Sequence, residues 1–305
     1  MTGALVTAAL ILSALLLTLV VPRALAGWRP QRADPARALL LWQSVSISGV
    51  VCALLAAPVA VLTSGLRQPL LLGLAVALSG LMLARVLWSG HRVGTDLRRR
   101  RAEHRDMVDL LGERLEDLED GVVHDPVRVL DHPTPTAFCL PGKGDRIVLS
   151  RATVRRLGPQ ELRAVLAHEQ AHLDHRHDLL LELFTVLHEA VPAQIRAHAG
   201  LDEVHLLAEV LADHRAVDRA SAPALARALV AMAAPEALDD GPTASGRGVP
   251  ARLGHALSAS DTQVGTRLRL LAQPRATAGL RVALTGGAAA VLALPCALLL
   301  LLWWA

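Results

Sequence analysis

Two histidines four residues apart flank a glutamate in the run His168-Glu169-Gln170-Ala171-His172. On an α-helix, side chains at that spacing lie on one face. One Zn²⁺ can therefore be held by both imidazoles while Glu169, on the flank of that face, reaches a water on the ion. The chemistry this suits is metal-assisted hydrolysis, in which the ion acidifies water and the carboxylate carries its proton. A catalytic zinc takes three protein ligands and keeps one position open. The candidate third ligand is Glu209 in Glu209-Val210-Leu211-Ala212-Asp213. Asp213 shares the face of Glu209, so one acid can bind the ion while the other orients a ligand histidine by a hydrogen bond. The plainer reading makes the histidines satisfied polar groups and the acids a solvated helix face. The apolar neighbours Leu206, Leu207, Val210 and Leu211 weigh against a solvated face.

The tetrahedral intermediate of peptide hydrolysis also needs a donor besides the ion. The chain has no tyrosine, which removes a phenol from the choice. His205, four residues before Glu209, is the leading candidate, with His175 and then Arg215 behind it. Each is equally readable as a surface polar residue.

These groups must be positioned by helices. Gly158-Pro159 before Gln160-Glu161-Leu162 marks a helix start, with proline in the first turn and an acid complementing the dipole. That helix is expected to run to about His177, followed by helices over roughly 179–195 and 202–219. The 179–195 stretch carries Glu182, His188 and Glu189 and reads as a core or membrane-grazing helix. Before them, 127–130, 137–140 and 146–149 are short β-prone runs, the last two joined by Pro141-Gly142-Lys143-Gly144-Asp145 as a hairpin. A substrate segment could add as a strand beside it. The 234–261 stretch, rich in Gly, Pro, Ser and Asp, reads as a mobile loop.

The composition places this polar region beside a membrane. Hydrophobic residues make up 52% and charged ones 19%, against roughly 45–50% and about 25% in soluble domains. Residues 1–22, 38–66, 68–84 and 282–305 carry no charge. Each run is near or above the ~17–25 residues that a spanning helix needs. Three transmembrane helices are expected within 1–92 (about 3–22, 39–63 and 69–89), a polar domain over 93–278, and a last span over 279–305. A charged helix over Asp96–Asp120, apolar at Met107, Leu110, Leu111, Leu115 and Leu118, would continue the third span.

Arginines concentrate between the first two runs (Arg23, Arg29, Arg32, Arg37), after the third (Arg85, Arg92, Arg98 to Arg101, Arg105) and before the last (Arg275, Arg281). The positive-inside bias puts those flanks and the polar domain in the cytoplasm and both termini outside. All five tryptophans fall near span ends, where amphipathic rings favour the interface. Ala24-Leu25-Ala26 has the form of a signal-peptide cleavage site, but no basic segment precedes the apolar run.

A net charge of +3 argues against a nucleic-acid partner, and three cysteines are too few for a disulfide framework.

The run Ala137-Phe138-Cys139-Leu140-Pro141-Gly142 into Ile147-Val148-Leu149-Ser150, then Glu161-Leu162, Ala167 to His172 and Glu209-x-x-x-Asp213, resembles the integral-membrane zinc metallopeptidases. The spacing of His172 and Glu209, Asp178 after the motif, and three spans, domain, one span are similar to the antibiotic-sensor (BlaR/MecR-like) type. HtpX-type housekeeping proteases share the same elements. The resemblance implies a multi-span α-helical membrane protein of the bacterial plasma membrane. Its cytoplasmic domain would be a mainly α (α+β), gluzincin-like metallopeptidase with a small β-hairpin or sheet. It implies Zn²⁺ on His168, His172 and Glu209, Glu169 as the base and Asp213 orienting a ligand histidine. The partners it implies are the lipid bilayer and a protein substrate, a transcriptional repressor or a membrane protein; a homo-oligomer is compatible with the sequence. Unlike sensor proteins with a penicillin-binding domain, these residues contain one lysine, Lys143, and no serine motif that would use it. The competing functions are a catalytically silent receptor, against which Glu169 speaks, and a metal-handling protein gathering ions on His168, His172, His175 and His177. A transport path would place ionisable residues inside the spans, and the four apolar runs have none.

Overall fold

The computed structural model describes residues 2–63, 67–114, 127–142, 144–233, 263–274 and 276–302. The chain divides into two compact units that are not contiguous in sequence. One comprises Met1–Leu97, Leu179–Ala208 and Pro274–Ala305, and the other Arg98–Asp178 and Glu209–Gln273. The expected loop over 234–261 and the end of the Asp96–Asp120 helix, 115–120, lie outside the described residues.

The first unit is helical. Among the described residues, four helices are long and apolar enough to cross a membrane: Gly3–Gly27, Pro35–Thr63, Pro69–Leu111 and Ala278–Leu300. The first comprises α1 (Thr2–Leu15), a π-helical turn over Leu16–Val20, and α2 (Val21–Gly27). The others are α3 (Pro35–Thr63), α4 (Pro69–Leu111) and α11 (Ala278–Leu300). The third apolar run and the charged stretch after it thus form one continuous helix through Leu111. Helix α3 is central, packing Cys52, Ala53 and Ala56 with Val6 and Leu10 of α1, and Leu41 and Val45 with Leu284 and Ala288 of α11.

Pro58 has no N–H, so the Leu54 carbonyl of α3 has no ladder donor from residue 58. Beside this turn Ser79 of α4 donates to Ala53 O at 2.6 Å and accepts from Ala57 N at 3.0 Å.

Residues 179–208 join this unit through polar contacts. Arg85 binds the Glu189, Ala190 and Val191 carbonyls at the end of α7 (His177–Ala190). Arg32 clamps Glu203 of α8 (His198–Arg219) at 2.5 and 2.7 Å. The expected helix over 179–195 therefore starts earlier and stops at Ala190, with a single 3₁₀ turn over Ala193–Ile195. Trp42 departs from the interfacial role expected of it. It is buried, and its Nε1 donates at 3.0 Å to Gln31, itself fully enclosed.

The second unit holds the sheet. Strands β1 (Glu113–Arg114), β2 (Val127–Leu130), β3 (Ala137–Leu140) and β4 (Arg146–Ser150) lie in the order β1-β2-β4-β3. The β3–β4 pair is the expected antiparallel hairpin, with Cys139 opposite Ile147, and β2 runs parallel to β4. Alternation along β4 sends Ile147 and Leu149 into a core with Leu162, Val165 and Leu173, while Val148 meets Val108 and Leu140 on the other face.

Ser150 caps α5 (Arg151–Arg156), accepting from Thr153 N at 3.0 Å. Helix α6 (Pro159–Asp174) follows, and Gly158 N donates to Glu161 Oε2 at 3.0 Å, half of a capping box because glycine has no side chain to return the bond. Helix α6 packs against the sheet, and its small residue Ala164 meets Ala216 of α8 and Ala224 and Leu225 of α9 (Ala222–Ala233). The helix over 263–271, α10, adds Leu271 to that cluster.

Candidate metal centre

Helix α6 ends at Asp174, three residues short of expectation, because Arg176 turns left-handed (φ 51°). His175 N and Arg176 N still donate to Ala171 O and Leu173 O, closing the helix, and His177 then begins α7. Within α6, the four-residue spacing does what the helix period requires. Nε2 of His168 and Nε2 of His172 lie 3.2 Å apart.

Glu209 meets them from α8. Its Oε2 is 3.5 Å from His168 Nε2 and its Oε1 is 3.3 Å from His172 Nε2. One donor atom from each of the three residues falls within 4.8 Å of the others. Donors bound tetrahedrally to Zn²⁺ at ~2.0–2.1 Å would stand about 3.3–3.4 Å apart, so the residues present fit that ion without rearrangement of the backbone. The rear nitrogens fit as well, because each ring is held from behind and presents Nε2 to the cluster. Asp213 Oδ1 is 3.0 Å from His168 Nδ1, off the N–H axis, and His177 Nδ1 is 2.9 Å from His172 Nδ1.

The fourth contributor is Arg267 of α10. Its Nε and Nη2 reach Asp213 Oδ2 and Oδ1 at 2.8 and 2.6 Å, and its Nη1 lies 3.0 Å from Glu209 Oε2. Asp213 is 1% exposed, so this clamp neutralises a carboxylate that could not otherwise stay charged. Burial pushes the Asp213 pKa up, but Arg267 and His168 more than reverse this and hold it low. Burial likewise opposes a charge on Glu209, and His168, His172 and Arg267 draw it well below the usual carboxylate range. In the metal-free protein, burial alone would lower the His168 pKa, yet the adjacent Asp213 and Glu209 carboxylates raise it to about 9.

Glu169 is buried beside His168, and burial raises its pKa against the pull of His168, His172 and Arg267. Burial first, then the charge of the Glu169 carboxylate, pushes the Cys139 thiol of β3 up and keeps it protonated.

The structure thus brings together His168, Glu169, His172, Glu209 and Asp213. His205 lies one turn before Glu209 on α8 and is exposed. His175 is exposed and stacks on His177, and Arg215 is exposed beside Asp218.

Arg267 escapes a reading of the sequence, and His177 enters it only in the metal-gathering alternative. Arg267 sits 54 residues from Asp213 in sequence, in a short helix whose pattern carries no marker of a buried partner. His177 is five residues after His172, which on an unbroken helix is roughly 140° around the axis. Only the left-handed Arg176, invisible in composition, returns it to the same ring.

Comparison with known proteins bears on this geometry. Residues 111–240 match the model of peptidase family M48. The matched segment carries the sheet, α6 and Glu209 and Asp213 of α8, and supports a metallopeptidase, a class in which zinc is the usual ion. It bears on the peptidase class and not on the branch. Arg267 lies beyond it. No curated protein and no solved structure matches the chain.

Proposed function

We propose that the chain is a membrane-embedded zinc-dependent endopeptidase that cuts a cytoplasmic or membrane protein in a regulatory step. The observation that carries this reading is the convergence of His168 Nε2, His172 Nε2 and the Glu209 carboxylate, with buried Glu169 adjoining. A Zn²⁺ held by those three groups would supply an acidified water near neutral pH and polarise the scissile carbonyl.

The other steps belong to the chain. Glu169 takes the proton of the attacking water and passes it to the leaving amine, and its burial favours a carboxyl that can hold a proton for that purpose. Asp213 fixes the His168 ring, and Arg267 holds both acids in place. The oxyanion of the tetrahedral intermediate is assigned to His205, one turn before Glu209 on α8. Among the described residues strand β3 is an edge of the sheet, and an extended substrate segment would pair there.

The arginine-rich flanks favour a cytoplasmic site, for which a cytoplasm-dependent reporter fused within 236–248 should be active. The span arrangement favours the sensor type, with a transcriptional repressor as substrate; the HtpX type would point to a membrane protein.

The test is cleavage of an unfolded protein by the purified full chain loaded with zinc. Glu169→Gln should lower the rate ~10²–10⁴-fold while keeping bound zinc. Equal cleavage by that variant, or none by the zinc-loaded chain, would overturn the reading. His205→Ala should lower kcat ~10²–10³-fold at unchanged KM; an unaltered kcat removes His205 from the mechanism.

A further inference from the structure

We propose that His177 is a positioning residue whose ring fixes the direction and tautomer of His172 for metal binding. The inference rests on the metallopeptidase reading and adds a part to its site.

His172 faces His168 and Glu209 through Nε2. A neutral imidazole donating its Nε2 lone pair to an ion must carry its proton on Nδ1, and the partner of that N–H fixes the ring plane and tautomer. The group at that place is Nδ1 of His177, 2.9 Å away, with the two rings edge-on at 87° and centroids 4.8 Å apart. In this arrangement His177 accepts at Nδ1 and holds its own proton on Nε2.

Three further observations favour a role specific to His172. His177 is 2% exposed, and its buried Nε2 has no hydrogen-bond partner among the described residues. Its polar contact with His172 is therefore the one for which an imidazole, rather than an apolar ring, is needed at a dry position. Next, the backbone is strained to deliver it. Arg176 is the one non-glycine with a left-handed backbone among the described residues, and it stands between the end of α6 and His177. Such strain persists only where the surroundings impose it, and it gathers at functional sites. Finally, the arrangement completes a pattern. His168 is held at Nδ1 by Asp213, and His172 at Nδ1 by His177. The first partner is anionic and enhances ligand basicity; the second is neutral and supplies direction without a further buried charge.

The test compares His177→Leu, which removes the acceptor, with His177→Asn, whose Oδ1 can stand where Nδ1 does. Zinc affinity of the full chain is measured by competition with a chromophoric chelator, and the visible spectrum of the Co²⁺-substituted chain reports ligand geometry. His177→Leu should weaken zinc binding ~10–100-fold and alter the Co²⁺ bands, and His177→Asn should restore both to within a few-fold of the native chain. Unchanged affinity in His177→Leu, or equal losses in both variants, would overturn the proposal. Should His177→Leu not fold, His177→Asn is set against His177→Gln, whose acceptor is one bond further out, and equal zinc affinity in those two overturns it. A native chain that binds no zinc overturns the metallopeptidase reading and this inference together. A native chain that binds zinc and cleaves, beside an unaffected His177→Leu, overturns this inference alone.

Discussion

Arg267 clamps Asp213 at two points, Nε to Oδ2 at 2.8 Å and Nη2 to Oδ1 at 2.6 Å. The planar fork matches a carboxylate in a way an ammonium does not. Removing it leaves the buried Asp213 with His168 as its remaining partner, and Glu209 also loses the guanidinium. Arg267→Met should therefore destabilise the metal-free protein by about 3–5 kcal/mol, and Arg267→Lys should recover only part of that. Zinc would replace some of the missing positive charge at Glu209, so the loss should shrink in the loaded protein. Thermal unfolding of the loaded and chelator-treated chains checks this, and an equal loss in both would remove Glu209 from the account.

Stability of the metal-free protein should fall as pH rises above neutrality. The His168 pKa is raised to about 9 in the folded chain by Asp213 and Glu209, overcoming burial, against ~6.5 unfolded. Such a group contributes fully below ~6.5, and the contribution is lost as pH climbs through about 9. Asp213 and Glu209 have lowered values, so their contribution is present above ~4 and lost on acidification. The chelator-treated chain should thus melt highest between about pH 5 and 7 and lower at pH 9. Asp213→Asn should flatten the alkaline fall. With zinc bound to His168 the alkaline fall should vanish, because the ligand ring no longer carries the titrating proton.

The strain at Arg176 is itself measurable. A left-handed L-residue costs roughly 1–2 kcal/mol, and glycine would avoid that while adding freedom to the unfolded chain. Arg176→Gly should therefore raise stability by about 0.5–1 kcal/mol with zinc affinity unchanged, since the His177 ring keeps its place. A lower melting temperature would show that the Arg176 side chain, not its backbone, matters.

How much of this was legible beforehand follows from the range of each interaction. His168 and His172 converge because the helix period is local, and the same period puts Glu209 and Asp213 on one face of α8. The β3–β4 hairpin was marked by its Pro/Gly turn. What the sequence withheld were long-range or backbone-borne features. Arg267 meets Asp213 from a separate helix, His177 reaches His172 through one left-handed residue, and residues 179–208 group with the apolar helices through Arg85 and Arg32. Trp42 reads as an interfacial ring by position, and only the buried Gln31 acceptor reveals it as a core hydrogen-bonded side chain.

Ser79 and Pro58 should prove energetically coupled. Proline at 58 deprives α3 of a donor, and the Ser79 hydroxyl bonds both Ala53 O and Ala57 N one turn away. Neighbouring hydroxyls are one way apolar helices tolerate proline where water cannot serve. Ser79→Ala alone would remove both contacts with the α3 backbone, and interhelical bonds of this kind in membranes average ≈ 0.6 kcal/mol with a maximum near 1.7. A loss of about 1–2 kcal/mol is expected here because one hydroxyl serves two partners. With Pro58→Ala in place, α3 regains the residue 58 donor to Leu54 O and depends less on Ser79, so Ser79→Ala should then cost much less. A double-mutant cycle on thermal stability in micelles reads the difference directly. Simple additivity of the two substitutions would mean that Ser79 merely packs against α3 and does not repair it.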